Sequence, residues 1–350
     1  MSNHPLLTPL SIGDQTIANR IIVAPMAGVT DKPFRMLAKS FGAGHAVSEM
    51  MTSDATLFAH HKTLYRANFE GEIAPISAQI AGSEPEKIAE AARYQVANGA
   101  QIVDINMGCP AKKVCNKLAG SALLQDEDLV ARILDTVVAA VDVPVTLKTR
   151  LGFLNGQENI LRVAKRAEEA GIAALALHGR TREDMYLNHA RYELIKQVKQ
   201  LIGIPVIANG DIDSPEKAKY VLDYTGADAI MIGRAAQGRP WIFREIAHYL
   251  KTGEHLATPD ISEVKAVLLG HLSELYQFYG EYSGCRIARK HIAWYTKGLR
   301  SSNEFRQNMY KVESTADQAK VVEAYFDQLL DLGQRMSDVQ VEQVNLLEIK

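Results

Sequence analysis

The chain has 350 residues, of which 47% are hydrophobic and 23% are charged. This length exceeds what one hydrophobic core usually supports, so we expect more than one domain, and the ordinary composition argues against extensive disorder. The formal net charge is −2, from 39 basic and 41 acidic residues, so any surface that binds nucleic acid must be a local one.

The three cysteines form an odd, sparse set, which argues against a disulfide framework and for a reducing compartment. They are Cys109, Cys115 and Cys285. The N-terminal residues contain no apolar run of signal-peptide length, and no stretch of about 18 apolar residues could span a bilayer. The sequence therefore predicts a cytoplasmic protein without a membrane partner.

Short apolar, β-branched runs recur along the first two thirds of the chain, and each ends abruptly in polar or glycine-containing sequence. Such runs are typical of strands buried on both faces. They are Ile21–Ala24, Ala46–Ser48, Ile76–Gln79, Ile102–Ile105, Val145–Lys148, Ala174–His178, Val206–Ala208 and Ala229–Ile232.

Helical patterns with ordinary start and stop signals separate most of these runs. Eight strands alternating with helices over roughly 230 residues predict an α/β fold, the (β/α)8 TIM barrel. The main alternative is an open doubly wound sheet, but no G-x-G-x-x-G loop follows the first strand. The helical patterns are Pro85–Asn98, Asp126–Val141, Glu158–Ala170, Arg191–Ile202 and Pro215–Tyr224.

Only helical patterns follow Gly253. They cover roughly residues 261–279, 285–299, 302–312 and 315–332, which is typical of a helical bundle. We therefore expect a catalytic barrel domain at 1–253, a helical domain at 254–332 and a C-terminal tail at 333–350. The tail is either a short helix or a loosely packed extension.

The loops after the last two predicted strands carry a phosphate-binding pattern. In a TIM barrel the active site lies at the C-terminal ends of the strands, and these two loops often bind phosphate. Gly210 and Gly233 let backbone N–H groups approach an anion, and Arg234 adds a positive fork. Tight turns alone would explain either glycine, but the pair with an arginine predicts a phosphate site.

Lys148 ends the fifth predicted strand, where an inward lysine is costly unless it is used. Two uses remain open: a Schiff-base nucleophile, or a cation that stabilises developing negative charge. A flavin would favour the second, because a reduced flavin is negative at its N1–C2=O edge. Gln79 and Asn106, at neighbouring strand ends, can hydrogen-bond to flavin and substrate.

Cys109 lies directly after the fourth predicted strand, between Gly108 and Pro110. A lone cysteine is more often a buried small apolar residue, but that role is less natural at a strand exit. The nearby Lys112 either binds phosphate or only solvates the loop. Cys115 has no evident part in the chemistry.

The joined motifs of the barrel and the helical region resemble the bacterial tRNA-dihydrouridine synthases, most closely their B-type branch. The resemblance covers roughly residues 15–330, and its most specific parts are DINMGCP, ANGD and MIGRAA. The other matching segments are PMAGVTDKPFR, SEMM, QIAG, LAGSALL, VTLKTRLG, HGRTR, VIANGDI and RIARKHIAWY.

The resemblance implies an enzyme that uses FMN and NADPH to reduce a uridine of the tRNA D-loop, at position 17 by branch resemblance. Cys109 would donate the proton, and no metal is expected. FMN would be held by Pro25, Met26, Ala27, Gln79 and Lys148, and its phosphate by Asn209, Gly210, Asp211, Gly233 and Arg234, with His178 nearby. Candidate contacts to the substrate in the barrel are Asn106, Arg150 and Lys112.

A basic segment, Cys285–Arg306, could hold the RNA backbone. Its cations can form a stripe along one helical face, with Trp294 and Tyr295 interleaved. Such a run is more commonly a solvated face, but next to a flavin-binding barrel we interpret it as a tRNA contact. The stripe comprises Arg286, Arg289, Lys290, Lys297 and Arg300.

Three other interpretations stay open at this point. The chain could be a flavin reductase of a free pyrimidine or another small molecule, a flavin-free lyase that uses Lys148 as a Schiff base, or a non-catalytic RNA-binding protein. The residues do not decide between NADPH and NADH. The residues do not specify the oligomeric state, and a monomer is expected by default.

Overall fold

The computed structural model describes residues 7–115 and 118–334 and divides into two compact units. Unit 1 extends to Ala236 and also includes Trp241–Glu254, whereas unit 2 comprises Gln237–Pro240 and the residues from His255 onward. Of the helices in this described part, none has both the length and the hydropathy needed to cross a bilayer.

Unit 1 is built around a parallel sheet of nine described strands, in the order β4-β3-β11-β10-β9-β8-β7-β6-β5. Consecutive strands along the chain are neighbours for most of the sheet, as the alternation of strands and helices predicted. The strands are β3 (Ile21–Val23), β4 (His45–Ala46), β5 (Met51–Thr52), β6 (Ser77–Ala81), β7 (Ile102–Met107), β8 (Val145–Arg150), β9 (Ala174–His178), β10 (Val206–Asn209) and β11 (Ala229–Ile232).

The second predicted strand is interrupted, which corrects its assignment as one run at Ala46–Ser48. The Val47 N–H donates to the Val23 carbonyl at 3.3 Å, and the Ser48 N–H donates to the Ser77 carbonyl at 2.9 Å. The Ser48 hydroxyl also accepts from the Gln79 N–H, so this side chain competes with regular strand pairing. These bonds connect the two ends of the sheet, and the strands form a barrel.

An N-terminal hairpin of β1 (Leu10–Ile12) and β2 (Gln15–Ile17) precedes the barrel. Its Ile12 and Ile17 belong to the same buried cluster as Ile102 and Ala229, the first residues of β7 and β11. The hairpin therefore packs against the N-terminal ends of the strands, and the C-terminal ends remain available for a site.

Helices surround the sheet, and several begin at side chains that cap them. The Asp31 carboxylate accepts from the Phe34 N–H at 3.0 Å, and the Ser214 hydroxyl from the Lys217 N–H at 3.1 Å. The helices are α1 (Lys32–Ser40), α2 (His61–Arg66), α3 (Pro85–Ala97), α4 (Lys112–Cys115), α5 (Glu127–Val138), α6 (Ile160–Glu169), α7 (Tyr192–Leu201), α8 (Pro215–Thr225) and α9 (Ile242–Thr252).

The described part of unit 2 is helical, with α10 (Ile261–Tyr295), α11 (Ser302–Met309) and α12 (Thr315–Asp331). Two predicted helices merge into α10 across a kink at Gly280, whose φ of 74° is accessible to glycine. The predicted helix at 285–299 ends instead at Tyr295, and Gly298 beyond it also has positive φ. Lys297 and Arg300 therefore lie beyond the helix, which corrects the prediction of one continuous helical stripe.

Candidate active site

A cavity of about 370 Å³ opens at the C-terminal ends of the barrel strands. The ends of β3, β8, β9, β10 and β11 contribute to its walls, so residues far apart in sequence meet there. Gln79, Asn106 and Ala27 were predicted for the same site but are not among its lining residues. The predicted residues that line it are Pro25, Met26, Lys148, His178, Asn209, Gly210, Asp211, Gly233 and Arg234.

The two glycines of this cavity differ in what an added side chain would contact. Gly210 has φ of +121°, and a Cβ there would lie 3.0 Å from Ala190 Cβ and 3.1 Å from His178 Cδ2. Gly233 has no such strain, and its Cβ would make ordinary contacts with Ala24 and Met26. Since both neighbours line the cavity, a side chain at 233 would fill space that a phosphate could occupy. The space beside the Gly233 backbone therefore fits a phosphate group.

Arg180 is a site residue that the sequence analysis did not single out, although it lies in the HGRTR segment. Its guanidinium donates to both carboxylate oxygens of Asp211 at 2.8 and 2.7 Å, and its side chain is 2% exposed. Burial alone would raise the pKa of Asp211, but the bonds from Arg180 and from the Ala190 N–H lower it overall. This carboxylate is consequently ionised and neutralised within the protein.

Arg234 remains the exposed cation of the phosphate-side loops. Its side chain is 56% exposed, and its Nη2 lies 3.8 Å from Asp211 Oδ1. Its guanidinium also lies 4.7 Å from the ring centroid of Tyr186, a cavity-lining residue that sequence reasoning missed because its loop has no motif of its own. Arg234 can therefore face an anionic group while Tyr186 limits where its side chain lies.

His178 enters the cavity as a neutral ring. Burial lowers its pKa well below the ordinary value, and the cations Arg150 and Lys148 lower it further. Its Nε2 lies 3.4 Å from Arg180 Nη1. The imidazole can hydrogen-bond to a ligand but contributes no charge at neutral pH.

Lys148 lies at the boundary between the cavity and the barrel interior. Its Nζ donates to Asn209 Oδ1 at 3.1 Å, and Asn209 Nδ2 donates to the Met231 carbonyl at 2.8 Å. Burial lowers the pKa of Lys148 to about 8, helped by Arg150 and opposed by Asp104. The side chain is therefore mostly an ammonium at pH 7, held in place by a fixed amide.

Both the N–H and the carbonyl of Cys109 are hydrogen-bonded within the protein. Its N–H donates to Asn106 Oδ1 at 3.0 Å. Its carbonyl accepts from the N–H of Ser121 at 3.1 Å and from the Ser121 hydroxyl at 2.9 Å, and Cys115 Sγ lies 3.6 Å from it. Ser121 and Cys115, which sequence reasoning left without a role, thus hold the loop. The Cys109 thiol is half-buried, and burial raises its pKa, so it is protonated at pH 7.

Arg150 was predicted to contact the substrate, and the structure shows its bonds within the protein. Its guanidinium donates to the carbonyls of Gly108, Thr181 and Met185, each at 2.8 Å, and the residue is 1% exposed. These bonds use its Nε–H and its Nη1 group. Arg150 instead ties the Cys109 loop to the loop after β9.

Gln79 and Asn106 belong to a buried chain of side chains beneath this loop. Gln79 Nε2 donates to Asp104 Oδ2 at 2.6 Å, and Asn106 Nδ2 donates to Gln79 Oε1 at 2.8 Å. Asp104 also accepts from the Thr146 hydroxyl at 2.6 Å. Both amides are therefore committed to protein partners, and Asp104 is a further residue that sequence reasoning missed.

The predicted loop of Pro25, Met26 and Ala27 forms a tight turn after β3. The Met26 N–H donates to the Thr30 hydroxyl at 3.0 Å, and the Met26 carbonyl accepts from the Thr30 N–H. Pro25 and Met26 are half-buried and Ala27 is exposed. The turn directs the Met26 side chain to the cavity wall.

The predicted tRNA contacts are only partly available to a ligand. Arg286 is exposed, and its guanidinium lies 3.6 Å from the ring centroid of Tyr282. Arg289 is half-buried and donates to the Val312 carbonyl at 3.0 Å, and Lys290 is also half-buried. The side chain of Lys112 and the tail from residue 335 lie outside the described part of the chain. Among the residues that are described, no cluster of three or more His, Cys, Asp or Glu could hold a metal ion.

Residues 22–330 match the family model for dihydrouridine synthase (Dus). The chain belongs to this family. Two relatives named tRNA-dihydrouridine synthase B support the assignment. The protein from Pseudomonas aeruginosa is 58% identical over 91% of this chain and 96% of its own length, and that from Vibrio vulnificus is 58% identical over 91% and 99%. The predicted resemblance, and with it an enzyme of the flavin-dependent oxidoreductase class, is confirmed.

Solved structures with the same fold are more distant in sequence. Histamine dehydrogenase from Rhizobium sp. 4-9 aligns with a TM-score of 0.55 at 14% identity, over 77% of this chain and 50% of that one. A variant of NCR from Zymomonas mobilis aligns with a TM-score of 0.52 at 20% identity, over 75% and 96%. These likenesses confirm the predicted barrel fold.

Proposed function

We propose that this chain is a tRNA-dihydrouridine synthase that uses FMN and NADPH to reduce the C5–C6 double bond of a D-loop uridine, at position 17. The observation that carries the proposal is the clamped, protonated Cys109 thiol at the end of β7. It lies on the same strand-end rim of the barrel as the anion-binding loops after β10 and β11, in a chain of the dihydrouridine synthase family.

The residues of the cavity suit an FMN molecule. The backbone at Gly210 and Gly233, together with Arg234, would hold its phosphate. Lys148, fixed by Asn209, would place an ammonium at the flavin edge, and Met26 would border it. When bound and reduced by NADPH, FMN supplies the hydride that C6 of the uracil ring accepts.

Cys109 supplies the proton that C5 of the uracil ring needs. A raised thiol pKa keeps the sulfur protonated at pH 7, whereas a carboxylic acid there would be mostly ionised and a poor donor. Asn106 and Ser121 fix the backbone of the thiol, so that the donor does not have to be ordered during the reaction. The Lys148 ammonium would stabilise the negative charge around the uracil ring and the flavin edge until the proton reaches C5.

The helical unit would hold the tRNA while the target base is turned out of the folded RNA. Arg286, Arg289 and Lys290 on α10, with Lys297 and Arg300 beyond its end, would contact phosphates. Such contacts position a nucleic acid without reading its bases. We expect the protein to act as a cytoplasmic monomer.

The test uses purified protein and a tRNA transcript that lacks modifications. We expect a yellow preparation whose flavin absorbance is bleached by NADPH and restored by the tRNA, with dihydrouridine formed at position 17. Reoxidation by free uracil but not by tRNA would support a small-molecule reductase instead. A colourless preparation would favour the Schiff-base alternative at Lys148. Dihydrouridine at another D-loop position would refute the assignment to position 17 alone.

A further inference from the structure

Asp104 is a carboxylate buried inside the barrel, below the rim that carries the proposed chemistry. It is 3% exposed, and apolar side chains such as Ile22, Ile102 and Ile207 line the same small internal space. Its hydrogen-bond donors are Thr146 and Gln79, both at 2.6 Å. A buried charge of this kind seldom improves stability over an apolar side chain of the same size, so stability alone does not explain a carboxylate at this position.

The hydrogen bonds that leave Asp104 have a direction. Each carboxylate oxygen of Asp104 faces a donor, Oδ1 the Thr146 hydroxyl and Oδ2 the Gln79 NH2 group, so Asp104 accepts at both. Burial raises the pKa of Asp104 to about 6, and both bonds oppose that rise. Gln79 must therefore turn its NH2 group to Asp104 and its oxygen to Asn106. Asn106 in turn must use its NH2 group on Gln79.

This direction decides which end of Asn106 faces the Cys109 loop. Asn106 Oδ1 accepts from the N–H groups of Gly108 at 3.1 Å and of Cys109 at 3.0 Å. If the amide were reversed, its NH2 group would face two further donors and both backbone N–H groups would lose their partner. Leaving a buried N–H group without a partner is costly. A buried acceptor at 104 excludes that arrangement.

We propose that Asp104 is a positioning residue for Cys109: its carboxylate fixes the direction of a hydrogen-bond chain through Gln79 and Asn106 to the Cys109 N–H. The inference rests on the proposed function, in which Cys109 is the proton donor. The hydrogen-bond chain follows the register of the sheet. Gln79 pairs with Asp104 across β6 and β7, and Asp104 pairs with Thr146 across β7 and β8. Asp104 itself touches no reacting atom.

The first test is D104N, which keeps size and shape but lets the side chain donate as well as accept. We expect hydrogen–deuterium exchange at the Gly108 and Cys109 amides to rise at least about tenfold, while the amides of β8 to β10 stay unchanged. Uridine reduction in a single turnover should fall about tenfold, because the donor is less well placed.

The matched control is T146V. It removes the other hydrogen bond to the same carboxylate but leaves the Gln79–Asn106 chain intact. We expect exchange at Gly108 and Cys109 to match the wild type. Equal exposure of these amides in both variants, or a rise spread over the whole barrel, would mean that Asp104 only contributes to packing and would overturn the proposal. Unchanged exchange in D104N would do the same.

A reversal experiment tests direction itself. In N106D the carboxylate at 106 and Gln79 Oε1 are two acceptors that face each other, and Gln79 cannot turn round because Asp104 also accepts. Their repulsion should displace the carboxylate from the Cys109 N–H, so exchange at Cys109 should rise. In D104N combined with N106D, Gln79 can turn round, donate to the carboxylate at 106 and accept from the amide at 104. We expect exchange to return to within about threefold of the wild type.

The double variant keeps the inference testable even where D104N alone does not fold, since each of its hydrogen bonds has a partner. If it exchanges as fast as N106D, the directional chain is refuted. The exchange measurement does not depend on activity. Should the wild type make no dihydrouridine while D104N exposes both amides, the proposed function fails and the positioning role stands.

Discussion

The cations of the barrel rim and those of the helical unit differ in the partners that the protein gives them. Arg150 and Arg180 are buried and donate to carbonyl or carboxylate oxygens of the barrel, and Lys148 donates to Asn209. On the helical unit, Arg286, Lys297 and Arg300 are exposed. Apart from Arg234, which is exposed, these rim cations have fixed positions that suit one small ligand in one pose. The exposed cations of the helical unit suit a polyanion whose phosphates can adjust.

The strongest test of the barrel rim is C109A. We expect dihydrouridine formation to fall by at least about 100-fold, because general acid catalysis is lost. Bound flavin and its reduction by NADPH should be unaffected, since Cys109 lies outside the cavity lining. The measurement is dihydrouridine per tRNA by mass spectrometry, with C285A as the control. Cys285 is buried in the helical unit, and full activity in C109A would remove the thiol from the mechanism.

Charge reversal on α10 tests whether the helical unit binds tRNA. Combining R286E, R289E and K290E should weaken tRNA binding about 30-fold and reduce its salt dependence by roughly one phosphate contact per residue. Flavin content should not change. K320E is the control, because Lys320 is a 78% exposed cation on α12 of the same unit. Equal tRNA affinity in the triple variant and in K320E would show that these cations only solvate the helix.

The sequence predicted the barrel rim better than the helical unit. Parallel strands bring their C-terminal ends to one rim, so Lys148, Asn209 and Gly233 could be expected to meet, and they line one cavity. Strand order does not say where a guanidinium points, so it did not reveal that Arg150 donates to three backbone carbonyls. It does not reveal a pair such as Arg180 and Asp211 either, because its partners lie on loops after different strands.

The limits of prediction on the helical unit have another cause. A run of basic residues at helical spacing has the same pattern whether it binds RNA or faces solvent. The helix predicted at 285–299 was also too long, because the positive φ of Gly298 cannot be inferred from the sequence. The same is true of the second barrel strand, where the Ser48 side chain takes a backbone partner.

G233A sharpens the phosphate side of the rim. Its methyl group would make contacts of 3.7 Å with Ala24 and 3.8 Å with Met26, so the fold should tolerate it. We expect FMN affinity to fall about tenfold, because the methyl group fills space that a backbone-bound anion needs. Fluorescence titration of flavin-stripped protein measures this. G270A, where a Cβ meets nothing within 4 Å, should bind FMN as the wild type does.

The smallest expected effect is a pH dependence set by Lys148. Since burial lowers its pKa to about 8, half of the ammonium is lost at pH 8, and uridine reduction should slow by about twofold between pH 7 and pH 8. Burial raises the pKa of Cys109, so the thiol stays protonated over this range. K148R should flatten the profile, because arginine keeps its charge.

The titration of Lys148 does not slow the reaction by destabilising the fold. The unfolded chain holds the Lys148 proton up to its ordinary pKa of 10.5, whereas the folded protein releases it near pH 8. Between these values the unfolded state binds more protons, so this residue makes the free energy of unfolding rise with pH. A thermal unfolding series from pH 7 to pH 9, run beside the rate measurements, separates the two. A profile that is equally steep in K148R would assign the loss of rate to another group.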